Sequence, residues 1–444
     1  MRNEKTALFG YAEADTTPDW PVELVGFARV HNKSDGILHT LGTQVLLCRG
    51  TAQTCLLITV DDIGFTVPLS NRLRDLAARR LGIARGDVMV CFSHTHAGPN
   101  AVLEPRYYEL VCAKVLDAAD KAAKNLRPLR AAWDVPACDI GVNRREGLYA
   151  ADPRLGVLAL TGADGKPAIL VLRAAAHANV LSSDNNKLSP DYFGTVRDLL
   201  EGKFGCKVMI VQGASGDIRP RYQQNNAAAL EVGGIGALTH SYTPQEREKY
   251  FRQSMDSLDK MAQTVCRAVE TVLRKMVPVP VTRLAMFSRQ CAFFADVPGT
   301  EQARKIADEA LREEQIDGTA WLAEVERLQK EGVKTQRVDV ELQFFAVNNG
   351  CLCGIPNETM CGIALDIERR TKNPLVLFGG YVNGIDCYLP TAEEYDRGGY
   401  EVLWSNLPLF PYYGHVMPLN RKTADRLAQT VAQAWTAYES PKAD

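Results

Sequence analysis

Short apolar runs with few polar interruptions set the terms on which this chain can fold: TQVLLCRG, TCLLITVDD, DVMVCFS, LGVLALTG, AILVLRAAAH, KVMIVQG, VDVELQFFAVNN, CLCGIP and PLVLFGGY. A strand turns successive side chains to opposite faces, so a run apolar at consecutive positions must be covered on both sides. Helical periodicity in the intervening segments supplies the cover: SNRLRDLAARRLG, EPRYYELVCAKVLDAADKAAKNL, PDYFGTVRDLLEGKFG, the stretch from Pro244 to Lys275, and a pair from Glu301 to Glu331 broken at QIDGTA. A last helix is expected in NRKTADRLAQTVAQAWTAY, with Asn420 as its N-cap candidate. The pattern predicts an α/β fold with a mixed β-sheet core flanked by helices. With no repeat period and no linker in view, residues 1–444 read as one domain, in which 223–276 is expected to be a lid or an insertion.

Composition narrows the partners. The 444 residues are 46% hydrophobic and 23% charged, with a formal charge of -2, which gives no electrostatic reason to expect nucleic acid or an anionic membrane. A small-molecule substrate is the default partner, and a homo-oligomer stays open. No secretory h-region and no run of about 18 apolar residues occurs, so the expectation is a cytoplasmic protein. Twelve cysteines scattered through apolar runs suit reduced, buried thiols, and Cys351-x-Cys353 lacks the second close pair of a zinc ribbon.

The polar residues of interest lie where strands stop. His94 and His96 follow DVMVCFS and would point to one side if the strand continued through them. His177 follows AILVLRAAA, GASGD follows KVMIV, Asn357 and Glu358 follow CLCGI, and Asn383 to Tyr388 follow PLVLFGG. In α/β sheets ligands gather at carboxyl ends of strands, so one shared pocket is expected. Neutral imidazoles plus a carboxylate are the donors of a zinc site with an open position. Each residue also has a plainer reading. The two strand-end histidines could be satisfied by backbone carbonyls, His177 could be a hydrogen-bonded core histidine, and Glu358 could favour the dipole of a helix it begins.

These words in this order resemble the neutral, non-lysosomal ceramidase family. The resemblance rests on SHTHAGPN, AAHANVL, QGASGDIRP, PNETM and CYLPTAEEYDRGGYE, and runs from FGYAEADTTPDWPVELVGFA to about Tyr413. It implies a neutral-ceramidase-like catalytic domain, without the C-terminal immunoglobulin-like domain of larger members, and one zinc per chain held by His94, His177, Glu358 and Tyr388. It further implies cleavage of an amide by metal-bound water, with His96, Arg144 and Tyr400 holding or polarising the substrate carbonyl. A plainer reading of Arg144 is a surface residue beside Arg145.

Departures from the family pattern bear on substrate. Arg219 stands where true ceramidases carry a serine after the Gly-Asp pair, and its planar fork of donors would suit a carboxylate-bearing amide; alternatively it pairs with Asp217. AHANVLSSDNNKLSPDYFG, with Ser189, Asp191 and Tyr192, is closer to shorter soluble members, which disfavours ceramide itself. His39 is expected near the pocket by resemblance, and Asp217 either orients a ligating histidine or caps a turn. The expected function is zinc-dependent hydrolysis of a small soluble amide. An ester, lactam or cyclic imide hydrolase and a non-catalytic small-ligand-binding relative are the alternatives. No Walker loop, Gly-x-Gly-x-x-Gly helix start or Gly-x-Ser-x-Gly elbow competes.

Overall fold

Alternation within the apolar runs builds three sheets around a shared inner core. In the computed structural model, which describes residues 6–29, 31–145, 151–225 and 243–440, the first sheet comprises β1 (Leu8–Asp15), β2 (Gly42–Arg49), β3 (Thr54–Val60) and β4 (Val88–Phe92). The second comprises β5 (Arg130–Asp134), β6 (Gly156–Thr161), β7 (Pro167–Ala174) and β8 (Lys207–Gln212). The third comprises β9 (Leu284–Asp296), β10 (Thr335–Val347), β11 (Gly350–Gly354) and β12 (Val376–Gly379). Two-residue segments, Arg127–Pro128 and Val279–Pro280, extend the first two sheets.

The helices are α1 (Val67–Leu81), α2 (Pro105–Lys124), α3 (Tyr192–Phe204), α4 (Pro244–Leu273), α5 (Thr300–Glu314), α6 (Thr319–Lys330), α7 (Cys361–Thr371), α8 (Asn406–Tyr413) and α9 (Thr423–Glu439). Asn420 is not the cap of α9. Lys422 occupies that position, and the Asn420 carbonyl accepts from Thr423 N at 2.8 Å.

Each sheet follows the same path. Three strands pair antiparallel, a helix crosses over, and the fourth strand returns parallel beside the third: through α1 in the first sheet, α3 in the second and α7 in the third. This threefold topological repeat has no counterpart as a sequence period, because what recurs is burial rather than residue identity.

Side chains alternate between two destinations. Leu46 and Cys48 of β2, Met209 and Val211 of β8, and Phe345 and Val347 of β10 meet in the inner core. Their neighbours Val45, Val208 and Phe344 face outward, under α1 and α2, α3 and α4, and α7 and α9 respectively. Each such aliphatic side chain contributes about 1.5–3 kcal/mol on burial, and apolar cover on both faces leaves the strand ends as the place for polar chemistry. All twelve cysteines are buried and unpaired, with Cys351 and Cys353 in the core under α7 and α9.

Two additions shape the surface. The β9–β10 hairpin carries α5 and α6 beyond its ladder, and these pack with Leu407 and Val416. Of the segment expected as a lid or insertion, α4 covers the second sheet through Leu258, Met261, Val265 and Val269; residues 226–242 lie outside the described residues. Among the described residues no helix is long and apolar enough to cross a membrane.

The Ser-x-Asp-Tyr element is a clamp on the loop after His177. Asp191, 1% exposed, accepts from the backbone N–H groups of Val180 (3.1 Å), Leu181 (2.8 Å) and Tyr192 (2.8 Å), and the Tyr192 hydroxyl donates to the Ala176 carbonyl at 2.8 Å. Stranding buried donors costs about 1–3 kcal/mol each. Asp191→Ala should therefore destabilise the protein by about 3 kcal/mol, read as a lower urea midpoint at unchanged slope. A change below about 0.5 kcal/mol, the ordinary size of a surface substitution, would refute the clamp.

Candidate metal centre

Donors from three separate parts of the chain meet at a single point. In the first sheet, β4 ends at Phe92 and the chain turns sharply: His94 adopts a left-handed backbone (φ 59) while its N–H donates to the Asp62 carbonyl at 2.9 Å. The strand does not continue through His94 and His96, as simple alternation expects. They converge because the backbone bends, with Nε2 atoms 3.3 Å apart. In the second sheet His177 follows β7, its N–H donating to the Ile218 carbonyl at 2.9 Å. Beyond β11 of the third sheet, Glu358 lies in a three-residue strand, Asn357–Thr359, which pairs with Asp386–Leu389 as a separate two-stranded sheet. Glu358 thus precedes α7 rather than starting it, and its carboxylate faces imidazoles rather than a helix end.

The histidines are oriented by backbone. His94 Nδ1 lies 2.7 Å from the Ile63 carbonyl oxygen and His177 Nδ1 lies 2.6 Å from that of Ser215, so each Nδ1–H donates and each Nε2 lone pair turns inward. Those nitrogens lie 3.3 Å and 3.5 Å from the same oxygen, Oε2 of Glu358. The Tyr381 hydroxyl donates to that oxygen from 3.2 Å. His94, His96 and His177 present ring nitrogens all within 4.8 Å of one another, and all three rings are buried.

Electrostatics follow from burial. Desolvation, reinforced by His94 and His177, holds His96 well below the ordinary imidazole range. Burial likewise lowers His177 to about 4. Burial alone would raise the Glu358 carboxyl, but His94 and His177 outweigh it and hold it well below the usual carboxylate range. Glu358 is therefore an anionic oxygen, and burial disfavours the charged form of His96 and His177 beside it. His177 Nε2 is buried without a hydrogen-bond partner, at a separation from Glu358 suited to two ligands of one ion. That donor set fits zinc.

The other expected residues divide into two groups. Arg144, Tyr388 and Tyr400 line the same cleft as His94, His96 and Glu358, a cavity of about 740 Å³. Arg144 is no free surface residue: Nε lies 2.8 Å from Glu401, and Nη2 donates to the Gly216 carbonyl at 2.7 Å and to the Tyr388 hydroxyl at 3.2 Å. Arg145 is likewise tied to Glu394 and Glu401, at 2.6 and 2.9 Å.

Arg219, His39 and Asp217 are not among the described residues that line the cleft. Arg219 lies in the short strand Ile218–Pro220, half-buried between two buried neighbours, and alternation turns it away from them. His39 pairs with Asp198 of α3 at 3.0 Å. Asp217 orients no histidine. It accepts from Cys361 N at 2.7 Å and Asn143 Nδ2 at 2.8 Å, and its carbonyl accepts from Arg144 N at 2.9 Å, so it anchors the segment carrying Arg144.

Sequence reasoning missed Tyr381, Glu401 and Glu314. Tyr381 and Glu401 stood in quoted motifs, FGGY and RGGYE, but only packing shows which way they face. Glu314, at the C-terminal end of α5, reaches the cleft through the inserted helices and makes no ion pair among the described residues.

No family model matches the sequence, and no curated protein matches it. Solved structures do. Neutral ceramidase from Pseudomonas aeruginosa superposes with a TM-score of 0.69 at 17% identity, over 98% of this chain and 75% of that one. A ceramidase complexed with C2 gives the same values.

Gly216 provides a test of how the site is held. Its N–H donates to the Thr359 carbonyl at 2.8 Å, and a Cβ there would lie 2.6 Å from the Glu358 carbonyl oxygen, a backbone atom that cannot swing aside. Gly216→Ala should cost about 2 kcal/mol of stability, measured by denaturation. Unchanged stability would show that the Glu358 backbone is not fixed by this contact. With its three sheets, their crossovers and the strand ends that meet at the histidines, this chain is ceramidase-like in fold.

Proposed function

We propose that the protein is a zinc-dependent hydrolase of a small amide. The observation that carries the reading is the Glu358 carboxylate at the cleft, one oxygen of which lies 3.3 Å from His94 Nε2 and 3.5 Å from His177 Nε2, the latter buried without a hydrogen-bond partner. The ceramidase-like fold supports an amide as the bond attacked. His94, His177 and Glu358 would hold the ion, with Tyr388 beside them. A zinc ion in such a set supplies Lewis acidity and lowers the pKa of water to about 7.

The chain's own residues then have separate tasks. His96, neutral and buried, offers Nε2 as the atom that holds or moves a proton. Arg144, fixed by Glu401 and the Gly216 carbonyl, carries positive charge beside the Tyr388 hydroxyl. The Tyr400 hydroxyl, with no hydrogen-bond partner among the described residues, donates toward the oxygen on which charge develops. Phe27, Leu103, Leu409 and Tyr412 line the walls and exclude water from an apolar part of the substrate.

The charge balance of the cleft revises the substrate. Arg144 is neutralised by Glu401, Arg219 is not among the lining residues, and Glu314 is an acid without an ion pair among the described residues. A neutral or cationic amide fits these charges better than a carboxylate-bearing one. Zinc-loaded protein assayed against neutral, cationic and anionic N-acyl compounds, lactams, cyclic imides, esters and a short-chain ceramide should cleave a neutral or cationic amide and lose activity to chelators. Tyr400→Phe should lower kcat about 10²–10³-fold at unchanged zinc content, whereas Glu358→Gln should lower zinc content itself. Pure protein that binds these compounds, holds no zinc and turns none over would overturn the proposal.

A further inference from the structure

A second cluster of metal-ligating side chains lies outside the cleft. Asp386 and Cys387 are consecutive on the strand Asp386–Leu389, and His415 follows α8. A carboxylate oxygen, the thiol sulfur and a ring nitrogen from these residues all lie within 4.8 Å of one another. The three are 6%, 2% and 1% exposed, and none lines the cleft.

The orientation of His415 repeats that of His94 and His177. Its Nδ1 lies 2.7 Å from the Met417 carbonyl oxygen, so Nδ1–H donates there, and Nε2 is presented to Asp386 Oδ1 at 3.0 Å. Fixing one ring nitrogen on a carbonyl so that the other can ligate is the usual support of a metal-bound histidine. Asn357 adds a donor at the sulfur: its Nδ2 lies 3.6 Å from Cys387 Sγ and donates to the Cys387 carbonyl at 3.1 Å.

The geometry points to a structural zinc site formed by Asp386, Cys387 and His415, distinct from the centre at Glu358. Nitrogen, sulfur and oxygen donors together suit zinc better than magnesium or calcium, which prefer oxygen alone. Charge supports the assignment. One carboxylate and one thiol that gives up its proton to the ion would together neutralise a dication, as a buried site needs, whereas a single carboxylate such as Glu358 would leave an ion electron-poor.

The consequence is positional. The strand that carries Asp386 and Cys387 also carries Tyr388, and Tyr413, which lines the cleft, stacks on His415 with ring centroids 6.2 Å apart. An ion there would pin both cleft tyrosines from behind. The competing account is a buried imidazolium–carboxylate pair with a neutral thiol beside it.

Cobalt(II) separates the two, and independently of the hydrolase reading, because the donors at the first centre include no sulfur. Cobalt-loaded full-length protein should show the near-ultraviolet thiolate-to-cobalt charge-transfer band. Cys387→Ser should remove the band and one cobalt per chain, and His94→Ala should leave the band in place. Should Cys387→Ser fail to fold, zinc-edge X-ray absorption of the unaltered protein should show a sulfur neighbour at about 2.3 Å. A band that is absent, or that survives Cys387→Ser, or a zinc spectrum without sulfur, would overturn the assignment.

Discussion

A carboxylate taken out of water must be compensated, and in this fold the carboxylate is Glu358, 4% exposed. Isolated burial of such a charge costs many kcal/mol, so its neighbours have to be in place as the chain folds. They come from elsewhere in the chain: His94 from the end of the first sheet, His177 from the end of the second, and the Tyr381 hydroxyl from the segment after β12. A shift in any sheet would leave the charge exposed to apolar surroundings. The inner core, apolar from all three sheets, provides the rigidity against such shifts.

The sheets are also stitched pairwise. The Asn383 side chain accepts from Val90 N at 3.0 Å and donates to Gln343 at 2.6 Å, joining first and third sheets. Arg173, buried and paired with Asp152, donates to the Phe378 carbonyl at 2.6 Å, joining second and third. His96 N donates to the Ala178 carbonyl at 3.1 Å, joining first and second. Three non-glycine residues near this junction, His94, Tyr381 and Asn383, adopt left-handed backbone at φ 58 or 59. Such conformations cost about 1–3 kcal/mol each and persist where surrounding contacts over-determine them, which the stitching does.

Legibility differed by residue for physical reasons. The strands and helices were readable because alternation and 3.6-residue periodicity are local. The gathering of His94, Glu358, Arg144, Tyr388 and Tyr400 around one cleft, with His177 buried beside Glu358, was approachable from strand ends and resemblance together. Arg219 was not, since its direction depends on how the short strand Ile218–Pro220 pairs with Gly141–Asn143, and no local pattern records that. Asp217 looked like a partner for a ligating histidine but serves Cys361 and Asn143, because the carbonyls of Ile63 and Ser215 already occupy the histidines. Glu314 reaches the cleft on helices inserted far away along the chain.

Residue order alone determined that strands apolar on both faces would need helices on one side and other strands' side chains on the other, since burial and alternation act over a few residues. It also placed nitrogen and oxygen donors at strand ends, where the apolar pattern stops. Only the tertiary structure decided that three sheets, rather than one, face a common core, and so which donors share an oxygen and which arginine reaches the cleft. Those outcomes rest on contacts between segments hundreds of residues apart and on backbone bends such as that at His94, which no sequence period encodes.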